Sequence, residues 1–551
     1  MNNTLKKISA ILLIGLLPFI AIAQTTNYFE TSKNLEIFTD LFKELDMYYV
    51  DEVNSGDLMK TAIDEMLTSL DPYTTYIPES DIEDYRFMTT GQYGGIGAMI
   101  TKRKDFVYIS EPYEGFPAQK AGLMAGDKII EVNGKSAKGK TTEELSKILK
   151  GQPNTEVSIL IERKGQEPFV VNFKREKVTV KSVPYYGFLE NGIAYIKLRS
   201  FTRDCSNDIK NALTDLKTQQ ELKGIILDLR SNPGGLLNES IDIVNLFVEK
   251  GENIVITKGK IKDWEKTYKA RYFPEDKETP LIILINQNSA SASEIVSGAI
   301  QDLDRGVVVG KRSYGKGLVQ QTRKLSYNSQ LKVTVAKYYI PSGRCIQALD
   351  YSNRNKDGSV GKIPDSLIST FKTRNGREVK DGGGIIPDVK VKQDVISDIT
   401  ISIIRERLIF DYATDFRLEN DSIISADNFE ITDNEFEKFT SYLKDKEYKY
   451  TTATEDALEI FKEIAEEEKS FYEIEEQYNL LSSQIKNNKE NDLSKNKEEL
   501  KEFLSDEIVS RYFYQEGRII NRLKYDKEVK EAINILHDLN RYNEILNKTD
   551  E

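Results

Sequence analysis

The 551-residue sequence has one histidine, two cysteines and one tryptophan. The single histidine, His537, lies in a charged, helix-like stretch, Glu528–Leu546, far along the chain from any segment of catalytic character. A Ser-His-Asp hydrolase would have to use this residue, and so would a zinc site built on paired histidines. If the chain is a hydrolase, the scarcity of histidine indicates that another group acts as its general base.

Cysteine is nearly as scarce, since only Cys205 and Cys345 are present. They lie far apart in the sequence, and no small domain depends on them, so two free buried thiols are predicted rather than a disulfide. No cluster of cysteine and histidine has metal-ligand spacing. The sequence therefore predicts neither a metal site nor another cofactor.

Basic residues do not dominate, because the formal net charge is −12. Phosphate binding needs a basic surface, so this balance argues against a nucleic-acid partner. At this length a single core is improbable, and three or four domains are expected.

The sequence also lacks an apolar run of the ~20 residues that span a bilayer. The longest candidate, Ile11–Ile22, is shorter and contains Pro18; it follows a basic start and precedes the A-x-A pattern Ala21–Ala23. A transmembrane anchor is the alternative, but these features favour a signal peptide cleaved after Ala23. We expect an exported, periplasmic protein, free or membrane-associated, with no stable membrane span after signal removal.

Beyond the predicted signal peptide, the chain changes character several times. Residues 28–85 have apolar side chains at helical spacing, including Phe38, Leu41 and Leu45, and Leu70–Tyr73 ends the second helix because it contains a proline. Residues 180–390 alternate strands and helices in the α/β manner.

The C-terminal part is rich in Glu and Lys and is predicted to be helical, notably at 455–485 and 494–548. Leu458, Phe461 and Ile464 suggest amphipathic helices that pack on a partner surface. A solvated helical extension with no role beyond stability remains an equal alternative.

Two strand–loop–helix units carry the candidate chemistry. In the first, the apolar strand Gly224–Leu229 precedes the loop Arg230–Gly235; in the second, the strand Leu281–Ile285 precedes a helix that begins at Ser291. Free backbone N–H groups and the positive end of the helix dipole at such a start favour negative charge.

Ser291 is therefore a candidate nucleophile beside an oxyanion hole. Ala292 N–H and an N–H of Gly234 or Gly235 can supply the donors that stabilise a tetrahedral intermediate. The pattern Ser291–Glu294 also fits a capping box, so a helix cap alone is the alternative interpretation of Ser291. Ser289 and Ser293 compete with it for the role of nucleophile.

Lys316 lies in Gly310–Gly317, which nearly spells a nucleotide-binding P-loop. Gly317 replaces the hydroxyl residue that binds Mg²⁺, and Leu318–Thr322 reads as a strand rather than a helix, which argues against a nucleotide. Burial can lower the pKa of a lysine enough for it to accept a serine's proton. Gln320 can orient the lysine amine, although a surface lysine in a glycine turn remains the plain alternative.

Residues 91–175 resemble a PDZ domain. Gly94, Gly95, Ile96, Gly97 and Ala98 match the family's carboxylate-binding loop, whose N–H groups would receive a terminal carboxylate while the next strand adds the peptide to the sheet edge. Thr142–Leu149 matches the helix that walls the groove. A glycine-rich hairpin without a ligand is the alternative.

The segments Ser289–Ile295 (SASASEI) and Gly315–Gln320 (GKGLVQ) resemble those of the C-terminal processing (tail-specific) peptidases of serine peptidase family S41. The resemblance implies that Ser291 is the nucleophile, that Lys316 is the base, and that Gln320 assists it. Further stretches similar to the family follow in the right order: Leu70–Tyr73, Asp228–Gly235 (the oxyanion loop), Tyr339–Arg344 and Gly384–Asp388.

The resemblance implies an α/β fold with a crotonase/ClpP-like peptidase core, an inserted PDZ domain, an N-terminal helical segment and a C-terminal helical extension. It also implies protein or peptide substrates with exposed C-terminal tails, and a homodimer formed through helical termini. The expected division of the chain is 1–23 signal peptide, 28–85 N-terminal helices, 86–176 PDZ domain, 177–394 peptidase core and 395–551 helical extension.

Two other functions compete with a peptidase. One is a non-catalytic PDZ adaptor on a vestigial peptidase fold, against which the intact Ser291, Lys316 and Gln320 argue. The other is a small-molecule acyl hydrolase on a crotonase-like core, against which the PDZ-like segment argues.

Overall fold

The computed structural model describes residues 28–392 and 395–547. The predicted signal peptide and its cleavage site lie outside these residues. The helices are α1 (28–48), α2 (Ser55–Thr68), α3 (Ile82–Thr90), α4 (Pro117–Lys120), α5 (Thr142–Leu149), α6 (Cys205–Gln219), α7 (Leu237–Asn245), α8 (Ala292–Asp302), α9 (Asp398–Arg405), α10 (Leu408–Glu419), α11 (Asp433–Leu443), α12 (Ala453–Glu467), α13 (Phe471–Glu490), α14 (Asp492–Lys495), α15 (Lys497–Leu523), α16 (Lys527–His537) and α17 (Leu539–Asn547).

The strands alternate with these helices in the first four hundred residues. They are β1 (Thr75–Ile77), β2 (Gln92–Gly95), β3 (Ala98–Arg103), β4 (Phe106–Pro112), β5 (Lys128–Val132), β6 (Lys135–Ser136), β7 (Glu156–Glu162), β8 (Phe169–Lys174), β9 (Glu176–Thr179), β10 (Tyr185–Phe188), β11 (Ile193–Lys197), β12 (Gly224–Asp228), β13 (Asn253–Gly259), β14 (Lys266–Lys269), β15 (Leu281–Ile285), β16 (Val307–Gly310), β17 (Leu318–Lys324), β18 (Gln330–Tyr339), β19 (Leu349–Arg354), β20 (Val360–Lys362), β21 (Thr370–Lys372), β22 (Glu378–Lys380) and β23 (Val389–Lys390).

The chain forms two compact units. The first holds α1, α2 and the segment Thr322–Val333, and the second holds the rest of the described chain from Ile77 onward. In the first unit α2 ends at Thr68, shortly before Leu70–Tyr73. There the Asp71 carboxylate accepts hydrogen bonds from two following backbone N–H groups at 2.8 Å each, which explains the turn at this point.

The second unit is built around a six-stranded sheet in the order β10-β11-β12-β15-β16-β23. All neighbours in it pair in parallel except β10 and β11, which are antiparallel. Every residue of β12, β15 and β16 is buried, and these strands consist almost entirely of Ile, Leu and Val. Such sequences are typical of parallel strands that are covered on both faces.

One face of this sheet is covered by α6, α7 and α8, which follow the strands β11, β12 and β15 in the sequence. Their apolar side chains pack with those of the sheet into one core, in which Leu213, Leu227, Ile283 and Val296 are fully buried. This is the layer that the strand–loop–helix pattern predicts.

The opposite face is covered by α16 and α17. Val529, Ala532, Ile535 and Leu536 pack against the sheet, and with sheet residues such as Ile226 they form a second apolar cluster. Neither interpretation of the C-terminal part, docking on a partner or a solvated extension, describes these two helices, because they form a layer of the α/β core itself.

The other C-terminal helices form a separate core from α9, α10, α11 and α15, with Phe439, Leu504 and Ile508 among its buried residues. In α15 the backbone is non-helical at Tyr514, where the helix kinks. By contrast, Phe461 and Ile464 of α12 are about half exposed, so the apolar face predicted there stays uncovered within the described chain.

The segment that resembles a PDZ domain folds as a sheet in the order β3-β4-β5-β7-β8, with β6 beside β5 and with α5 packed on it. Val107, Ile129, Leu145 and Ile159 are fully buried in its core. It is anchored to the C-terminal helices by ion pairs, for example between Arg103 and Asp411.

None of the helices in the described ranges is both long and apolar enough to cross a membrane.

Candidate active site

Three loops meet at the carboxyl edge of the six-stranded sheet. They follow β12, β15 and β16, whose ends are held in register by parallel pairing of Asp228 with Leu284 and of Leu284 with Val309. In open α/β sheets this edge is where ligands bind. The three loops carry, in order, the predicted oxyanion glycines, Ser291 and Lys316.

Ser291 is the N-cap of α8 and has an unusual backbone conformation, with φ 55° and ψ −113°. A positive φ is uncommon for a residue other than glycine, and such strain clusters at functional sites. Ser291 is partly exposed, whereas Ser289 and Ser293 are fully buried and donate their hydroxyl protons to the carbonyl oxygens of Leu229 and Asn232. Of the three competing serines, Ser291 is the one that is not fully buried.

The oxyanion loop lies directly against Ser291. A β-carbon at Gly234 would come within 2.8 Å of Ser291 Cβ and 2.9 Å of Ala292 N, so a side chain there would fill the space beside the nucleophile. The Gly234 N–H donates to Asn232 Oδ1 at 2.9 Å and would have to exchange that bond for an oxyanion. Gly235 lies against the backbone of Phe201. A β-carbon at Gly235 would lie 2.3 Å from the Phe201 carbonyl oxygen, so there is no room for a side chain.

Glu294 links the nucleophile loop to the lysine loop. Its Oε2 accepts hydrogen bonds from the backbone N–H groups of Ser291 and Lys316, both at 2.8 Å. Its Oε1 accepts from the Gly315 N–H and the Ser313 hydroxyl, both at 2.6 Å. One buried side chain therefore fixes the backbone of Ser291 and that of Lys316 relative to each other.

Glu294 is fully buried, and burial raises its pKa from 4.5 to about 7, because the charged form loses its hydration. The four hydrogen bonds act in the opposite sense, since each favours the carboxylate. In the sequence this residue stands out only as the end of a capping-box pattern, and its bonds to the lysine loop have no local sequence signal.

Tyr338 makes a second link between the same two loops. Its hydroxyl donates to the carbonyl oxygen of Lys316 and lies 3.2 Å from that of Ser291. The ring is almost completely buried. The peptide units of Ser291 and Lys316 are thus held on both their N–H and their carbonyl sides.

Lys316 is partly buried, and its two flanking glycines explain how the chain fits there. A β-carbon at Gly315 would lie 2.5 Å from Ala348 Cβ, and one at Gly317 would lie 2.9 Å from Gln347 N. The following residues form β17, as predicted, and a strand at this place is incompatible with the helix that a P-loop opens.

Gln320 lies on β17, and its amide donates to Thr334 Oγ1 at 3.2 Å. It lines a cavity of about 570 Å³ that begins at Leu236, the residue after the oxyanion loop. The apolar walls of this cavity include Leu236, Tyr268 and Val319. A pocket of this kind can receive a substrate side chain.

Behind the oxyanion loop lies a group of buried charges that the sequence did not indicate. Asp228 accepts hydrogen bonds from the Tyr195 hydroxyl and the Arg230 guanidinium, and it forms an ion pair with Lys197. Although burial opposes ionisation, these cations and hydrogen bonds hold the pKa of Asp228 well below its usual range. Lys197 also donates to the Arg230 carbonyl oxygen at 2.9 Å.

Of the predicted carboxylate-binding residues, only Ile96 and Gly97 lie between β2 and β3, because Gly94 and Gly95 belong to β2, where they pair with β9, and Ala98 begins β3. Gly97 has φ 72°, and a β-carbon there would lie 2.4 Å from Phe116 Cβ, so only glycine fits. β3 is an edge strand of its sheet, and α5 packs beside it. Gly94–Ala98 was predicted to close one end of a groove between this strand and this helix.

The histidine and the cysteines lie outside this site. His537 is exposed on α16, where it contacts Glu190 at 3.2 Å. Cys205 and Cys345 are both free thiols, and burial raises the pKa of each. Within the described ranges no three acidic, histidine or cysteine side chains are grouped as a metal site would require.

Three family profiles match the chain. The one described as peptidase family S41 matches residues 192–352, and the one described as a PDZ domain matches residues 108–163. A third, described as "Probable PDZ-protease, C-terminal helical domain", matches residues 399–536.

Curated relatives agree with these matches. A "Carboxy-terminal-processing protease" of Bartonella bacilliformis is 38% identical over 329 residues, which cover 59% of this chain and 75% of the relative. A "Probable CtpA-like serine protease" of Staphylococcus aureus is 35% identical over 444 residues, which cover 78% and 85%. Among solved structures, the photosystem II D1 C-terminal processing protease is 26% identical, with 67% of this chain and 95% of that chain covered and a TM-score of 0.35.

Proposed function

The chain belongs to the S41 family of C-terminal processing peptidases, and we propose that it is an exported serine endopeptidase with Ser291 as nucleophile and Lys316 as general base. The family and the α/β fold with a PDZ domain and a helical C-terminal segment were both predicted from the sequence and are confirmed by the matches. The finer assignments below rest on the geometry of the site.

One observation carries the proposal. The two N–H groups bound by Glu294 Oε2 belong to Ser291 and Lys316, so a single buried carboxylate sets the spacing of the two residues. A helix cap alone has no need of a bond to a loop 22 residues farther along the chain. This closeness of the two backbones supports proton transfer between the serine and lysine side chains, which requires proximity.

In the proposed reaction Lys316 begins as a neutral amine and accepts the proton of the Ser291 hydroxyl. The Ser291 oxygen forms a bond to the scissile carbonyl carbon, and the carbonyl electron pair becomes an oxyanion that receives hydrogen bonds from Ala292 N–H and from Gly234 or Gly235 N–H. When the carbon–nitrogen bond breaks, the Lys316 ammonium returns the proton to the leaving amine.

Water then completes the cycle. It attacks the acyl-enzyme, gives a proton to the neutral Lys316, and releases the carboxylic acid as Ser291 regains its proton. We assign Gln320 to orienting the lysine or the bound substrate, because the family resemblance gives it this role and because it lines the cavity that begins at Leu236, directly after the oxyanion loop.

The PDZ domain is proposed to select substrates by their C-termini. Gly94, Gly95, Ile96, Gly97 and Ala98 would receive the terminal carboxylate, and the edge strand β3 would pair with the tail of the substrate. The substrates would then be proteins or peptides with exposed C-terminal tails.

Three further assignments are proposals from the sequence. They are export to the periplasm through cleavage after Ala23, the division of the chain at 86, 177 and 395, and a homodimer through helical termini. The exposed apolar side chains of α1, including Phe38 and Leu41, support the last of these. Light scattering on the mature protein would test it, and a monomer at every concentration would contradict it.

The catalytic proposal is tested with an unfolded protein, β-casein, and with Ser291→Ala and Lys316→Ala. We expect wild type to degrade casein and each variant to lose at least about 1,000-fold in kcat, since the two residues act as a unit. Both variants should keep the wild-type melting temperature and the wild-type affinity for a peptide with an apolar C-terminus.

The same experiment separates the alternatives. A PDZ adaptor would bind the peptide, and its wild-type and Ser291→Ala forms would be equally inactive on casein. An acyl hydrolase would cleave a short-chain thioester but no peptide. Either result would overturn the peptidase proposal.

A further inference from the structure

The N-terminus of α16 meets the loop that carries the oxyanion glycines. The contact is made by Arg230, whose guanidinium is almost fully enclosed by three carboxylates. Asp228, two residues earlier, accepts from Arg230 Nε and from Nη2, the latter at 2.6 Å. The other two carboxylates, Asp526 and Glu528, belong to the C-terminal helices and accept from Nη1 at 2.7 and 2.6 Å.

Charge-assisted hydrogen bonds to several carboxylates fix the plane of a guanidinium more firmly than a single pair does. Arg230 is the first residue of the loop that ends in Gly234 and Gly235. Its own backbone is tied at both polar groups, because its N–H donates to Asp228 and its carbonyl oxygen accepts from Lys197. The contacts that orient its side chain therefore also help to fix the backbone at the start of the oxyanion loop.

Glu528 also touches the strand that leads to Lys316. A β-carbon at Gly310, the last residue of β16, would lie 3.4 Å from Glu528 Oε1. This oxygen is buried and accepts no hydrogen bond from the described part of the chain. Glu528 thus lies between the two strand ends from which the oxyanion loop and the lysine loop depart.

The charges of this group do not balance. Lys197 and Arg230 supply two positive charges, while Asp228, Asp526 and Glu528 supply three negative charges. A neutral side chain at 528 would equalise them, so the group has one carboxylate more than its two cations need. The surplus carboxylate is explained if its task is to hold the arginine.

We infer that Asp526 and Glu528 are positioning residues of the active site: through Arg230 they hold the oxyanion loop, so that the C-terminal helical segment completes the catalytic apparatus. This inference rests on the proposed function, because the loop matters only if Ser291 reacts there. It assigns a catalytic consequence to residues that lie beyond 192–352, the range that the peptidase profile matches.

The test is steady-state kinetics of the full-length variants Glu528→Gln and Asp526→Asn/Glu528→Gln on casein, with active sites titrated by a fluorophosphonate. Glutamine keeps the size of the side chain, and asparagine keeps the helix cap that Asp526 provides to α16. We expect kcat per titrated site to fall between about 10-fold and about 100-fold, with KM changed by less than about twofold, because a displaced oxyanion loop weakens only the transition state.

The matched control is Glu531→Gln, which removes an ion pair between Glu531 of α16 and Arg541 of α17 and leaves Arg230 with its three carboxylates. It should keep the wild-type kcat. A purely structural role for Asp526 and Glu528 would lower the number of titrated sites and leave kcat per site unchanged, and that result would overturn the inference. So would a wild-type kcat in Glu528→Gln, or an equal loss in the control.

Failure of the proposed function gives a different result. If wild type neither cleaves casein nor reacts with the fluorophosphonate, Ser291 is not a working nucleophile. If wild type does both, the kinetics of Glu528→Gln decide the inference, even should the double variant fail to fold.

Discussion

The two faces of the six-stranded sheet are covered by helices of different origin. On one face α6, α7 and α8 each come from the connection between neighbouring strands, whereas on the other α16 and α17 return after the whole helical segment 398–523. Both layers bury apolar side chains to the same degree. Position in the sequence therefore does not tell which helices belong to the catalytic core.

Each layer also sends one buried glutamate to the catalytic edge of the sheet. Glu294 from α8 accepts four hydrogen bonds, two on each oxygen, all from the loops that it joins. Glu528 from α16 forms an ion pair through one oxygen only. Burial raises the pKa of both. The layer of α6, α7 and α8, here called the near layer, therefore joins the two catalytic loops directly through Glu294. The layer of α16 and α17, here called the far layer, acts through Arg230.

The comparison is tested most strongly by removing one leucine from each layer. Leu213 of α6 and Leu536 of α16 are both buried against the sheet. We expect Leu213→Ala and Leu536→Ala each to lower the free energy of unfolding by about 2 to 5 kcal/mol. Urea denaturation of the two variants measures this. A loss below about 1 kcal/mol for Leu536→Ala alone would show that the far layer is dispensable.

A smaller effect is expected for Glu294→Gln. The amide nitrogen of glutamine would face two N–H or O–H donors in either orientation, so the two loops would separate and kcat would fall about 100-fold. Steady-state kinetics on casein at pH 8 measure this. A wild-type kcat in this variant would contradict the role given to Glu294.

The same variant should change the pH dependence of stability. Because the pKa of Glu294 is about 7 in the folded chain and 4.5 ordinarily, the folded state retains a proton that the unfolded state releases. The stabilisation this gives is complete below pH 4.5 and is lost as the pH rises through about 7. Glu294→Gln should therefore lose less stability than wild type between pH 5 and pH 8. Urea denaturation at the two pH values measures these losses. If wild type and Glu294→Gln lose the same free energy of unfolding between pH 5 and pH 8, the raised pKa is contradicted.

The smallest effect is expected on the outer side of the far layer. His537 is exposed on α16, and its contact with Glu190 is a surface pair. We expect His537→Ala to change stability by less than about 0.5 kcal/mol and to leave kcat at the wild-type value. A large loss of activity would revive a histidine base and contradict the Ser291–Lys316 mechanism.

Much of the fold could be predicted from local patterns. The apolar strands β12, β15 and β16 and the helices after the first two of these have periodicities that the sequence shows directly, and α8 begins just after Ser291 as predicted. The order of glycines and apolar strands in residues 91–175 likewise predicted a PDZ domain. These features depend on residues a few positions apart.

What could not be predicted depends on contacts between distant parts of the chain. The pairing of Arg230 with Asp526 and Glu528 joins residues almost three hundred positions apart, and neither carboxylate stands out in a Glu-rich helix. The helical character of Glu528–Leu546 was predicted, but a helical pattern does not state which surface the helix covers. The exposure of Ser291 relative to Ser289 and Ser293 also became clear only in three dimensions.

The late return of α16 and α17 has a consequence for biosynthesis. A ribosome that has made β10 to β23 has produced all the strands of the sheet, yet one face of it stays bare until the helical segment and then α16 and α17 have emerged. The peptidase domain therefore cannot finish folding until the helices at the end of the chain have been made. During this interval Arg230 also lacks two of its three carboxylates, Asp526 and Glu528. If these carboxylates position the oxyanion loop, full peptidase activity is reached only after translation has passed Glu528.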